Sequence, residues 1–182
     1  MKFKFKHIIA VASLVLFSQT LSAEGFTLKS DAMIGQMSSA QVFNGFGCIG
    51  KNISPELSWE NAPKETKSFA LTVYDPDAPT GSGWWHWVVF NIPKGTKKIS
   101  TNASVLKLLP TGSVQSKTDF GTSSFGGACP PKGDKAHSYI TTVHALDVDK
   151  LDLDENANPA LVGYMINMHT IGKSSVMAYY KR

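Results

Sequence analysis

The sequence is sparing with charge, cysteine and catalytic motifs. Charged residues make up 18% of the 182-residue chain, with 18 Lys and Arg against 14 Asp and Glu. Three of the lysines, Lys2, Lys4 and Lys6, lie within residues 1–23, where there is no acid, so the rest carries 15 basic against 14 acidic residues. The basic balance therefore belongs to the N-terminus and does not describe a nucleic-acid or membrane footprint. The apolar run Ile8 to Phe17 is about ten residues, well short of the roughly 20 that a spanning helix needs. No repeat, low-complexity tract or linker divides the chain. No G-x-S-x-G elbow supplies a nucleophile, since Gly121-Thr122-Ser123-Ser124-Phe125-Gly126 is one residue too long. No short-spaced His or Cys motif marks a metal site. These absences predict a protein that is not an enzyme and that uses no metal or cofactor.

What is present begins with a leader. A lysine-rich start, the apolar run and the small, polar Ser18 to Ala23 form the pattern of a cleaved secretory signal peptide over residues 1–23. This predicts a periplasmic or secreted protein with one domain, 24–182, and no integral membrane segment in the mature chain. Only two cysteines occur, Cys48 and Cys129. An even count in an oxidising compartment reads as a disulfide, with two separate buried thiols as the alternative.

The remainder is rich in strand patterns. Phe26 to Ser30 alternates apolar and polar residues, Glu56 to Trp59 is a short strand, and Ser68 to Tyr74 and Trp84 to Ile92 are apolar on both faces, as central strands are. The last two should pair across the Asp75 to Gly83 connection. His137 to Leu146 places His137, Tyr139, Thr141 and Val143 on one face. One helix is expected, capped by Asn158, started by Pro159 and stopped by Gly172, with Leu161, Val162, Met165, Met168 and Ile171 as its core stripe. Ser175 to Tyr180 is a final strand. Gln41 to Pro55 and Pro110 to Gly133 are Gly-rich loops.

Four features carry chemistry: the Asp75-Pro76-Asp77 turn, His86, the Pro130-Pro131 corner, and His137 with Tyr139. Each has a plain reading when taken singly. An aspartate turn bonds its own backbone, and a histidine in an apolar strand is usually a satisfied core residue. Taken together, two histidines from different strands, a carboxylate to orient His86, inward-facing loop amides and walls from Trp84 or Trp85 make a small anion pocket.

Three motifs in order, Tyr74-Asp75-Pro76-Asp77-Ala78-Pro79, Gly83-Trp84-Trp85-His86-Trp87-Val88-Val89 and Gly126-Gly127-Ala128-Cys129-Pro130-Pro131-Lys132-Gly133 leading to His137-Ser138-Tyr139, resemble the phosphatidylethanolamine-binding proteins, also called Raf kinase inhibitor proteins, in their bacterial branch. Asn52-Ile53-Ser54-Pro55-Glu56-Leu57-Ser58-Trp59 fits the same pattern. The resemblance implies a mainly β fold, an antiparallel β-sandwich with a few peripheral helices and an anion cavity at one end of the sheet. By motif, Asp75 and His86 would form the cavity's base and Trp84 its wall. Pro131, His137 and Tyr139 would form the rim, with Asp77 close by.

The function expected is an exported, non-enzymatic binding protein for a small anionic ligand, whether phosphate, a phosphoethanolamine-like group or a carboxylate, and one able to modulate a protein partner. The leader argues against kinase inhibition, which belongs to cytosolic members. The other readings are a secreted inhibitor or host-interaction protein acting through its surface, and an Asp/His-dependent hydrolase.

Overall fold

A computed structural model describes residues 25–182, so the signal-peptide reading of residues 1–23 lies outside the described residues. In chain order the strands are β1 (Thr27–Lys29), β2 (Gly35–Gln36), β3 (Asn44–Gly45), β4 (Cys48–Ile49), β5 (Leu57–Glu60), β6 (Ser68–Asp75), β7 (Trp84–Pro93), β8 (Lys98–Ile99), β9 (Val114–Gln115), β10 (His137–Leu146) and β11 (Thr170–Tyr180). A short helix α1 (Ala103–Leu106) precedes β9, and α2 (Pro159–His169) lies between β10 and β11. The fold is mainly β, as expected.

The strands that are apolar on both faces take the centre. A six-stranded sheet runs β2-β11-β10-β6-β7-β9. Its four long strands are antiparallel, and only the short edge strand β2 pairs in parallel, with β11. On one face, Phe69, Leu71 and Val73 of β6 and Trp87 and Val89 of β7 pack with Leu28, Leu57 and Trp59 from the three-stranded sheet β1-β5-β8. On the other, Ala70, Val88 and Phe90 pack with Val162 and Ile166 of α2 and with Leu151. Removing this much apolar surface from water, at about 25 cal/mol per Å2, is the main force holding the layers together.

Two bulges in β7 break the two-residue alternation. One leaves Asn91 opposite no β6 residue, in the left-handed region at φ 56°. Its amide oxygen accepts from the Leu151 N–H at 2.7 Å and its Nδ2 donates to the Leu151 carbonyl at 3.2 Å, which fastens the 147–158 loop to the sheet. The other leaves His86 unpaired, because Trp85 pairs with Tyr74 and Trp87 with Val73. Trp85 and Trp87, two residues apart, therefore fall on opposite faces. Trp87 is buried in the sandwich core, and Trp85 packs beside α2.

Helix α2 differs from its expected stripe. Asn158 caps it as predicted, accepting from the Ala160 N–H at 2.9 Å. It ends at His169, three residues before Gly172, and the chain passes straight into β11. The buried face is Pro159, Val162, Gly163 and Ile166, whereas Leu161, Tyr164 and Met168 are exposed and Ile171 already belongs to the strand. The helix is apolar nearly all round, so the spacing did not single out the face. Gly163 suits this face: a Cβ there would come to 3.0 Å from the Trp85 ring, closer than an ordinary van der Waals contact, so a larger residue would push the ring aside.

Candidate functional site

The Asp75–Gly83 connection, the start of β7 and the start of β10 meet at one end of the large sheet. They enclose a cavity of about 220 Å3. Its polar groups are Asp75, Thr80, His86, His137 and Tyr139, and Trp84 forms a wall. Pro130 and Pro131 complete one side beside Cys129. Phe46 and Phe120, which the sequence reading did not select, form the other side. Phe120 sits at the hub of the aromatic wall, with its ring centroid 5.4 Å from both Trp84 and His86 and 4.6 Å from Phe43.

The bulge turns His86 towards this end of the sheet, where bulges commonly re-aim side chains. Its ring stands edge-on to Tyr139 at 5.1 Å. His86 Nδ1 is 2.7 Å from the Gly126 carbonyl, and the Gly126 N–H returns a bond to the His86 carbonyl at 2.9 Å. A carbonyl only accepts, so the hydrogen is on Nδ1. Gly126 is required at this spot because a Cβ would collide with the Phe120 ring. His86 is buried, and burial pushes its pKa below 6.5, outweighing the opposite pull of the Gly126 carbonyl and the Asp75 charge.

Asp75 does not orient His86, contrary to expectation. Its Oδ2 is 2.8 Å from Nδ1 of His137, and its Oδ1 accepts from the N–H groups of Asp77 and Ala78 at 2.8 and 3.1 Å. The second nitrogen of His137 meets Asp134 Oδ2 at 3.3 Å. Burial alone would lower the His137 pKa, but hydrogen bonds to the two carboxylates outweigh it and raise the value above 6.5. A carboxylate thus faces each ring nitrogen, an arrangement that favours the protonated imidazole and engages both of its N–H groups.

Asp77 lies outside the cavity wall. Its carboxylate accepts from Lys135 Nζ at 2.6 Å and from the Ser138 N–H at 2.9 Å, which brings its pKa down to about 2. It positions the segment that leads into His137. Tyr139 is also buried, and burial together with the Asp75 charge pushes its hydroxyl pKa upward, so the group stays neutral. Two buried polar atoms at this site have no partner among the described residues: His86 Nε2 and Tyr139 Oη.

The mouth is tied together from three directions. Cys48 and Cys129 are bonded, with Cα atoms 5.9 Å apart, so the cysteine expectation is met. Asn52, from the Asn-Ile-Ser-Pro motif, accepts from the Gly127 N–H at 2.7 Å and donates to the Phe125 carbonyl at 3.2 Å. The C-terminal Arg182 donates through Nε to the Pro130 carbonyl at 2.6 Å and through Nη2 to the Phe46 carbonyl at 3.3 Å. Nothing in the sequence marked Arg182, since its role depends wholly on where β11 ends.

The motifs also agree with known proteins. The family model described as "Phosphatidylethanolamine-binding protein" matches residues 32–181. The UPF0098 protein YbcL of Escherichia coli K12 is 47% identical over 176 residues, covering 96% of each chain. A second protein of that strain, YbhB, is 51% identical over 140 residues, covering 76% of this chain and 88% of its own. The crystal structure of E. coli YbcL, described as a member of the mammalian PEBP family, superposes with a TM-score of 0.84 at 49% identity, covering 86% of this chain and 98% of that one. A Chlamydia trachomatis protein described as a homolog of the same family gives a TM-score of 0.71 at 27% identity, with 87% and 98% covered.

Proposed function

This chain belongs to the phosphatidylethanolamine-binding protein family, and from that premise we propose that it is an exported, non-enzymatic binding protein whose pocket takes the phosphorylated or carboxylated end of a small ligand. One observation carries the reading. His86 Nε2 and Tyr139 Oη are buried and unpartnered in the same cavity. An orphaned buried polar atom costs about 1–3 kcal/mol. A ligand oxygen that meets both atoms removes that cost, while the aromatic walls exclude water and strengthen the contact.

Binding without turnover is favoured by the state of the surrounding groups. Cys129 is in a disulfide and the Thr80 hydroxyl donates to the Gly83 carbonyl, so neither is available as a nucleophile. Export is supported by that same disulfide, because such bonds persist in oxidising compartments. Among the described residues, no helix is long and apolar enough to cross a membrane.

The test is equilibrium binding of phosphoethanolamine to the wild type and to Tyr139→Phe. Loss of one hydrogen bond to a charged ligand, about 1.5 kcal/mol, should weaken binding roughly tenfold. Equal affinity in the two proteins would remove Tyr139 from the site, and the absence of binding in the wild type would overturn the reading. Hydrolysis of a phosphoester that disappears in His86→Ala would replace it with the hydrolase.

A further inference from the structure

We propose that His86 and its ligand hold one proton between them, so that the pocket selects an oxyanion able to carry that proton, a phosphomonoester, over a phosphodiester or sulfate. The proposal rests on the anion-pocket reading and adds which anions are taken and in what protonation state.

The donor count leads to it. With its hydrogen committed to the Gly126 carbonyl, a neutral His86 offers the pocket only a lone pair at Nε2. The charged and hydroxyl donors around it are already engaged. Both His137 nitrogens face carboxylates, the Thr80 hydroxyl donates to Gly83, and Lys135 is paired with Asp77. The guanidinium of Arg182 binds two carbonyls and is not part of the cavity wall. Among the described buried side-chain donors that line the cavity, the Tyr139 hydroxyl is the one left without a partner.

The charges point the same way. Asp75 contributes a carboxylate to the wall, and with His137 protonated the Asp75, His137 and Asp134 group still sums to one negative charge. Asp119, from the loop against β7, adds another carboxylate whose charge acts on His86. From β10, His137 and the neutral Tyr139 face the ring, and from the 116–133 loop Phe120 and the Gly126 carbonyl do. An unprotonated dianion would meet this net negative charge, and its lone pair would oppose that of Nε2. One added proton removes both conflicts: either P–OH donates to Nε2, or Nε2–H donates to P–O⁻. The two descriptions have the same composition.

Ligand chemistry then decides selectivity. A phosphomonoester has a second pKa of about 6, so near neutrality it brings or gains the proton readily. A phosphodiester or sulfate carries no such proton, and the whole requirement falls on a histidine that burial keeps neutral.

The experiment is calorimetric titration of the mature protein with phosphoethanolamine at about pH 8, in buffers of different ionisation enthalpy, repeated with glycerophosphoethanolamine and sulfate. The expected result is uptake of about one proton per ligand bound, with Kd rising about tenfold per pH unit above neutrality. The diester and sulfate should bind at least about tenfold more weakly. In His86→Gln the amide can donate without a proton, so binding should persist with the uptake lost. Monoester binding without proton uptake, or equal affinity for monoester and diester, overturns the proposal while leaving the pocket reading in place. No binding of any of the three overturns both. The wild-type titrations decide this even if the variant fails to fold.

Discussion

Asp75 and His137, both buried, form the ion pair on which the site's electrostatics rest. Removing one charge of a buried pair leaves the other uncompensated. Asp75→Asn should therefore bring the His137 pKa down, as read by NMR titration of its ring protons; an unchanged value would mean that Asp134 alone holds the proton. The sign for stability follows from the raised pKa. The pair stabilises the fold fully below the unfolded value of 6.5, and the contribution is lost as pH rises through the higher folded value. His144, on the opposite face of the sheet, behaves in the reverse sense. Burial first, then the nearby Lys173 charge, bring its pKa down to about 4 from 6.5. Its contribution is present above 6.5 and lost as pH falls from there through about 4, about 3 kcal/mol in all. His144→Asn should flatten the fall of the urea midpoint across that window. A fall as steep as the wild type's would show that His144 is already charged in the native state.

At the scale of the element, what could be read in advance divides along physical lines. Strands β6 and β7 were legible because residues apolar on both faces have few alternatives to a sheet centre, and β10 because its two-residue period puts one set of side chains on one face; the observed bounds of all three lie within two residues of the expected ones. The bulges were not legible, because they depend on how β7 pairs with β6. The one at His86 takes that residue out of register with β6, and Asp75 meets His137 instead. The Pro110 to Gly133 stretch is held by backbone bonds such as Ser116 N–H to the Val88 carbonyl and Asp119 N–H to the Trp85 carbonyl, to which a glycine-rich composition gives no clue. The Asn91 bulge is a direct stability test. Asn91→Ala leaves the buried Leu151 backbone unsatisfied and places alanine at φ 56°, so it should cost about 2 to 4 kcal/mol in denaturant unfolding. A cost below about 0.5 kcal/mol would show that water replaces the amide. The disulfide spans 81 residues and joins the β3–β4 hairpin to the proline corner. Replacing both cysteines by alanine should lower stability by about 2 to 4 kcal/mol. A free-thiol assay on denatured, unreduced wild-type protein should find none, and two reactive thiols would contradict the bond.

For the whole molecule, the large sheet separates two surroundings of different chemistry. On one side and at one end lie the sandwich core and the cavity with His86, His137 and Tyr139; on the other, α2 covers His144 beside a smaller cavity of about 150 Å3. The family motifs made six of the seven proposed ligand residues recognisable as one site, and all six line the larger cavity, while Asp77 stands behind it as a support. Phe46, Phe120 and Arg182 escaped notice because each reaches the mouth through a loop or terminus with no local pattern. The separation of the two faces gives the account its sharpest test: an NMR titration of the mature protein with phosphoethanolamine. Shifts are expected at the Trp84 indole and at the His86 and Tyr139 rings, with the His144 signals unmoved. Shifts centred on His144, or unchanged spectra at tens of millimolar ligand, would contradict it.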